Sequence, residues 1–406
     1  MKINQCRSCK KKNLLKAFNL GKQSYTGVFL NKKNDKVSKG NLSLVLCDNC
    51  KLLQLDNSFN PQEMYGDNYG YMSSLNKSMF IHLKNKVNKL KQKYDLKRDD
   101  SIIDIGSNDG TFLSFFERKY NLLAVDPTIK KFSRLYRQDI KIVPDFFSRD
   151  AVKPFLKKNA KIITSIAMFY DLPDPIKFVE DVHDCLDKDG IWHFEQSYMP
   201  SMIKNFSYDT ICHEHIEYYS LRSLKYILDQ VNFKIIDLEF NDINGGSFAI
   251  TVAKKGSKFS ENKKIVNWLL KKEYDFKYNE IKTFKNFFVN CQKQKKLLID
   301  LLRNLKDMKK KVYGYGASTK GNVILQYCGI DNNLLRYIGE VNKFKFNKFT
   351  PGSKIKIISE KELKKHKPDY LLVLPWHFKN FILKKENKFL RNGGKFIFPL
   401  PDIEII

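Results

Sequence analysis

Short apolar runs alternate along most of this chain with longer segments in which apolar side chains recur every three or four residues. The first habit predicts buried strands and the second predicts amphipathic helices. Between residue 101 and about residue 255 the two alternate regularly, with strands expected at 101–105, 122–125, 162–169 and 190–195. Such alternation predicts a doubly wound α/β sheet. Residues 76–94 lack proline and glycine and predict a lysine-rich amphipathic helix ahead of that sheet. Residues 257–311 also lack both, and Ile281, Phe284, Phe288 and Cys291 recur at helical spacing, which predicts two or more long helices leaving the domain. A second strand–turn–helix begins at Val312, and further strands are expected at 335–339, 370–374 and 395–398. These predict another α/β domain.

Cysteines add a third part. Cys6-x2-Cys9 and Cys47-x2-Cys50 are two knuckles with the spacing of a tetrahedral zinc site, and the expected strand 42–46 would deliver the second. Four sulfur ligands leave the metal no open position, so the zinc is expected to be structural. Cys185, Cys212, Cys291 and Cys328 stand alone in apolar or mixed surroundings and read as reduced core thiols. The expected organisation is a zinc module over 1–60, a central domain over 61–256 and a helical connection with a second α/β domain over 257–406. A chain of 406 residues is long enough for two or three cores.

The chain has no apolar run long enough to span a membrane and no apolar signal core behind Met1, so a soluble, cytoplasmic protein is expected. Its formal charge is +29, but the lysines are spread over the whole length and mixed with asparagine and isoleucine. That favours anions in general and gives no specific argument for nucleic acid.

Candidate chemistry begins at Ile103-Asp104-Ile105-Gly106-Ser107-Asn108-Asp109-Gly110, followed about twenty residues on by Asp126-Pro127. A strand, a glycine-bearing turn, a helix and then a strand ending in an acid is the geometry that holds an adenine nucleoside, with the acid on the ribose hydroxyls. Asn108 occupies the place of the middle glycine that a pyrophosphate would need. S-adenosylmethionine (SAM) carries no phosphate, so a methyl-donor site is expected, with Gly106, Gly110 and Asp126 at the nucleoside and Asn108 or Asp109 near the methionyl part. Strand ends at 162–169 and 190–195 should face donor and acceptor, which brings Met168 to the donor. The later turn Gly314-x-Gly316-x4-Gly321 is also off the dinucleotide pattern; a phosphorylated ligand at the following helix start, held with Lys320, suits it better than NAD. In the stretch 208–219, His213 and His215 flank Glu214; if extended, it would put both histidines on one side and the glutamate on the other. Histidine is the side chain best suited to take a proton near neutral pH, so His215 is a credible base.

Zinc knuckles, the tyrosine-rich segment 64–74, the 104–113 motif, the 208–215 motif, Asn244-Gly245-Gly246-Ser247 and the 314–321 turn follow one another in an order that resembles the sugar C-methyltransferases. Those enzymes methylate nucleotide-linked ketosugars in deoxysugar and surface-polysaccharide biosynthesis. The resemblance covers nearly the whole chain. It implies a zinc domain, a class I Rossmann-like methyltransferase domain, and a C-terminal Rossmann-like domain that grips the nucleotide. The implied donor residues are Asp104, Gly106, Asn108, Asp109, Gly110, Asp126, Pro127 and Met168. Tyr69, Tyr208, Asn244, Gly245, Ser247, Gly316, Ser318, Lys320 and Glu340 would serve the acceptor. His215 would remove the proton beside the ketone with help from Glu214, with His213 alongside and Tyr71 closing the site; the enolate would then attack the methyl group. Cys212, Asp171 and Asn244 stand where the family has tyrosine, histidine and histidine, which keeps a sugar O-methyltransferase open as an alternative. An RNA methyltransferase and a non-catalytic donor-binding protein fit the motifs less well.

Overall fold

The computed structural model describes residues 2–65 and 71–406. Tyr69 lies outside them. Three sheets organise the chain. In the N-terminal part β1 (Leu14–Ser24), β2 (Lys39–Cys47) and β3 (Leu53–Leu55) form an antiparallel ladder. The long β1–β2 hairpin fills the interval between the two cysteine knuckles.

The central sheet holds β4 (Ser101–Ile105), β5 (Asn121–Val125), β6 (Lys141–Val143), β7 (Ala160–Ile166) and β8 (Leu186–Ser197) in parallel pairing. Strand β9 (Glu217–Tyr218) leaves this domain and joins β3 of the N-terminal sheet. The chain then returns with β10 (Phe233–Asn241) and β11 (Ser247–Lys254), giving the order β10-β11-β8-β7-β4-β5-β6 with β11 antiparallel to both neighbours. The order reverses between β4 and β7, and a crevice opens at their carboxyl ends, where ligands of open α/β sheets bind. The expected strand 162–169 stops at Ile166 because Ala167 adopts φ +56°, which turns Met168 out of the sheet and toward that crevice.

The helix Lys77–Lys93, capped by the Asn76 side chain, lays Met79, Leu83, Val87 and Leu90 on one face of the central sheet. Residues 257–311 form two helices, Lys263–Asp275 and Ile281–Asp307. The second packs its Phe284, Phe287, Cys291 and Leu298 face into a core shared with the N-terminal and C-terminal sheets. The C-terminal sheet consists of β12 (Val312–Tyr315), β13 (Tyr337–Glu340), β14 (Lys356–Ser359), β15 (Tyr370–Val373), β16 (Lys395–Phe398) and a short antiparallel β17 (Glu404–Ile405). Its order, β14-β13-β12-β15-β16-β17, has its own reversal between β12 and β15. Among the described residues no helix is long and apolar enough to cross a membrane.

Candidate active site and zinc centre

The metal centre is the simplest to build. Each knuckle turns on a residue in left-handed backbone conformation, Lys10 and Lys51, and the amides of these residues return to the carbonyls of Cys6 and Cys47. The ligand atoms of Cys6, Cys9, Cys47 and Cys50 all lie within 4.8 Å of one another. Cys6 and Cys50 sulfurs are 3.6 Å apart, and those of Cys9 and Cys47 are 3.4 Å apart. A tetrahedron with Zn–S bonds of about 2.3 Å needs sulfurs about 3.8 Å apart, so the set fits zinc and leaves no coordination position open. Gln54 donates its amide to the Cys6 sulfur at 3.2 Å and accepts from the Arg7 backbone N–H. The Arg7 guanidinium in turn donates to the carbonyls of Leu55 and Asn57 and to the Ser58 hydroxyl. Ser58 and Phe59 line the large cavity, so the knuckle is tied by hydrogen bonds to a wall of that cavity.

This cavity, of about 850 Å³, lies at the carboxyl ends of the central strands and reaches the C-terminal domain. On the donor side it is lined by Asp104, Gly106, Asn108, Asp126, Pro127 and Met168. Gly106 has φ +73°, and a Cβ placed there would come within 2.9 Å of Met168; both conformation and space require glycine. Asp126 closes β5 and accepts from the Asn108 N–H at 2.9 Å and from Thr128. Its carboxylate therefore sits at the rim of the turn, on the wall of the cavity. Burial, with Asp126 nearby, pushes Asp104 up to about 7 against the hydrogen bond from Thr164. The turn and its acid fit S-adenosylmethionine.

Two of the expected donor residues do other work. Asp109 does not line the cavity; it accepts from Thr111 and from the Ser74 N–H. Gly110 is the left-handed residue that starts the next short helix, and a Cβ there would strike the Tyr136 ring at 2.8 Å. Asn108 accepts from the Ser73 N–H and donates to the Tyr71 carbonyl. The strap 71–74 is thus held down on the donor turn, with Tyr71 at the cavity wall and 44% exposed.

On the acceptor side Glu214, His215, Asn244 and Lys320 share the cavity. The expected extended geometry around His215 is not what forms. Residues 213–214 bend, so Glu214 and His215 face the cavity together and His213 turns away. His213 is fully buried between Tyr25 and Phe59, with Nε2 3.3 Å from the Gly40 carbonyl. It anchors the loop to the zinc module and has no access to substrate.

His215 Nδ1 lies 2.8 Å from the Thr210 carbonyl, an acceptor, so Nδ1 carries the proton and Nε2 keeps its lone pair. Burial, together with the Lys320 charge, pushes the imidazole down to about 4 despite Glu214 beside it, so at neutral pH it is an uncharged acceptor. The Tyr170 ring packs on it at 4.3 Å between centroids. Glu214 accepts from Thr26 Oγ1 at 3.1 Å, and a Cβ on Gly27 would come within 2.6 Å of its other oxygen. The β1–β2 connection therefore positions a carboxylate 188 residues further along the chain.

Lys320 donates to the Asn244 carbonyl at 2.7 Å and lies 3.8 Å from Asp209, which accepts from Trp376 Nε1. Several expected acceptor residues turn out to build the scaffold. Tyr208 is fully buried, 3.4 Å from the Cys328 sulfur. The Ser247 hydroxyl donates to the Ile243 carbonyl, and the Gly245 backbone packs by Trp376. Gly316, at φ +80°, lets its turn close on Pro375; Ser318 caps the helix Thr319–Cys328 through the Gly321 N–H. Glu340 accepts from the N–H groups of Ala317, Val341 and Asn342. It braces the turn, as Asp126 braces Asn108. Sequence reasoning missed Thr26, Gly27 and Phe59, which belong to no motif and which only the fold brings to the site; Thr319 it passed over although the residue lies within the 314–321 turn.

A sheet of order β10-β11-β8-β7-β4-β5-β6, with a glycine turn after β4, an acid after β5 and a zinc module in front, defines a SAM-dependent methyltransferase of the class I Rossmann-like fold. Three family models match in succession: a zinc binding domain over residues 6–65, a methyltransferase domain over 76–238 and a C-methyltransferase C-terminal domain over 242–401. The C-methyltransferase NovU of Streptomyces niveus is 28% identical over 409 aligned positions, covering 100% of this chain and 97% of that protein. Together these matches run from residue 6 to residue 401, and the similarity to a C-methyltransferase extends over the whole chain. Similar solved structures include a SAM-dependent methyltransferase from Clostridium acetobutylicum (11% identity, TM-score 0.34, 43% of this chain and 92% of that one). Another is the plantazolicin methyltransferase BpumL with S-adenosylhomocysteine (12% identity, TM-score 0.34, 43% and 83%).

Proposed function

We propose that this enzyme methylates a carbon of a nucleotide-linked ketosugar, with His215 as the base. The observation that carries the reading is the juxtaposition in one cavity of the donor turn with an imidazole whose Nδ1 is committed to Thr210 and whose Nε2 is free to take a proton. Bound S-adenosylmethionine supplies an electrophilic methyl group. Nε2 of His215 takes the proton from the carbon beside the ketone, leaving an enolate. Glu214, fixed by Thr26, faces the imidazolium that forms, and the enolate's own charge favours that cation further. The strap at Tyr71 lies over the donor turn. Lys320 and the start of the helix Thr319–Cys328 offer positive charge and N–H groups to a phosphate, and a cavity of this size suits a nucleotide sugar.

Incubation of the enzyme with a nucleotide-linked ketosugar in deuterium oxide, without methyl donor, tests the chemistry. Exchange at the carbon beside the ketone, abolished in His215→Asn, is the expected result. No exchange, together with an O-methyl signal in the product's NMR spectrum, would turn the reading toward a sugar O-methyltransferase.

A further inference from the structure

Away from the reacting groups, a second polar cluster is buried between the helix Lys77–Lys93 and the carboxyl end of β8. Its centre is Glu195, 2% exposed. One carboxylate oxygen accepts from His82 Nε2 at 2.7 Å; the other accepts from Lys86 Nζ at 2.8 Å and from Asn241 Nδ2 at 2.6 Å. Lys86 also donates to His193 Nε2 at 3.2 Å, and His193 Nδ1 donates to Thr251. Burial opposes the charge on Glu195, but His82 and Lys86 outweigh it and hold the carboxyl at about 2.

A buried charge cluster contributes less to stability than apolar side chains of the same volume would, because desolvation offsets the attraction. What it adds is orientation, and here the two oxygens hold two separate parts of the site. His82 and Lys86 belong to the helix that directly follows the strap 71–74, whose amides rest on Asn108 and Asp109. Asn241 ends β10 and begins the loop to β11; its Oδ1 accepts from the Ile243 N–H, and the next residue, Asn244, receives Lys320. The Glu195 carbonyl takes the N–H of Ala167 at 2.7 Å, the residue that turns Met168 to the donor.

We propose that Glu195 is a positioning residue for methyl transfer: its single carboxylate fixes at once the helix that carries the donor strap and the loop that carries Asn244. Its donor half rests on the methyltransferase fold alone, and its acceptor half rests on the function proposed above. The test therefore uses readouts that need no acceptor. Glu195→Gln keeps the shape but turns one accepting oxygen into an NH2 group, set against either His82 or the Lys86–Asn241 pair, and removes the charge that strengthens the remaining bonds. Amide hydrogen exchange at residues 72–75 and 242–247 should both quicken about tenfold or more, the scale of losing a hydrogen bond to a charged group. Affinity for S-adenosylhomocysteine should fall by about the same factor. Thr251→Val disturbs the same cluster through His193 alone and should leave both segments and the affinity unchanged. If Glu195→Gln does not fold, His82→Gln should loosen 72–75 only and Asn241→Ala 242–247 only. Exchange unchanged in both segments of folded Glu195→Gln, or the same acceleration in Thr251→Val, would overturn the proposal, as would either single variant loosening both segments.

Discussion

At the scale of single residues, His215 is set apart by which of its nitrogens is already engaged. With Nδ1 donated to Thr210, the imidazole can only accept at Nε2, and burial keeps it neutral down to about pH 4. A base is active when unprotonated. At saturating donor, kcat/KM for the acceptor should therefore hold level as pH is lowered through 6.5 and fall only as it passes about 4. An acid limb at 6.5, the value of a solvated imidazole, would place the base elsewhere. His215→Asn should cut turnover about 10²–10⁴-fold and leave S-adenosylhomocysteine binding intact. The donor site has a matching probe in Asp126. Asp126→Ala should weaken S-adenosylhomocysteine by roughly 1.5–3 kcal/mol in calorimetry, as expected for hydrogen bonds to a carboxylate. Unchanged affinity would mean that the ribose is held by another group.

The decisive element is β9, only two residues long. It directly follows the His215 loop yet pairs with β3, with Leu53 opposite Tyr218 and Gln54 opposite Glu217, and the Leu55 N–H bonds the Ile216 carbonyl. Gln54 also contacts Cys6 of the metal centre. The zinc module thus supplies the partner of the strand that directly follows His215. Stripping zinc with a strong chelator should lower the melting temperature, because metal binding is coupled to folding of its module. Turnover should be lost while S-adenosylhomocysteine binding persists, since the donor turn lies on β4 and β5. Full activity of the metal-free enzyme would sink this coupling. Motif and spacing made the strands around the glycine turns readable, since each is a short apolar run closed by glycine or an acid. They could not reveal β9: Glu217-Tyr218 carries no alternating pattern, and its partner lies far back in the chain. For the same reason the expected side on which His213 and Glu214 point was reversed. A bend decides it, held by the packing of His213 on Tyr25 and Phe59.

For the molecule as a whole, the hydrophobic cores do not follow the divisions along the chain. One core joins Leu44 and Leu55 of the N-terminal sheet to Leu298 of the long helix and Ile338 of the C-terminal sheet; another joins Cys6 and Cys47 to the central sheet. Thr26 receives Asn322 of the C-terminal domain on its carbonyl and donates its hydroxyl to Glu214. Residues 61–406 produced alone should therefore aggregate or bind a hydrophobic dye strongly, having lost the partner of a large apolar face. A soluble, cooperatively melting 61–406 fragment would show that the core is divisible. Local order in the sequence sufficed for the four-cysteine centre, the two strand–turn–helix units and the place of Asp126 at the end of β5, because each is specified by residues close together in the chain and by backbone conformations only certain side chains permit. The active site was decided by the tertiary structure. Glu214 is fixed from Thr26, His213 is diverted, Asp109 and Glu340 brace backbone, and Glu195 ties a helix to a loop. Such contacts join positions tens to hundreds of residues apart, and packing selects them with no local signal in the chain.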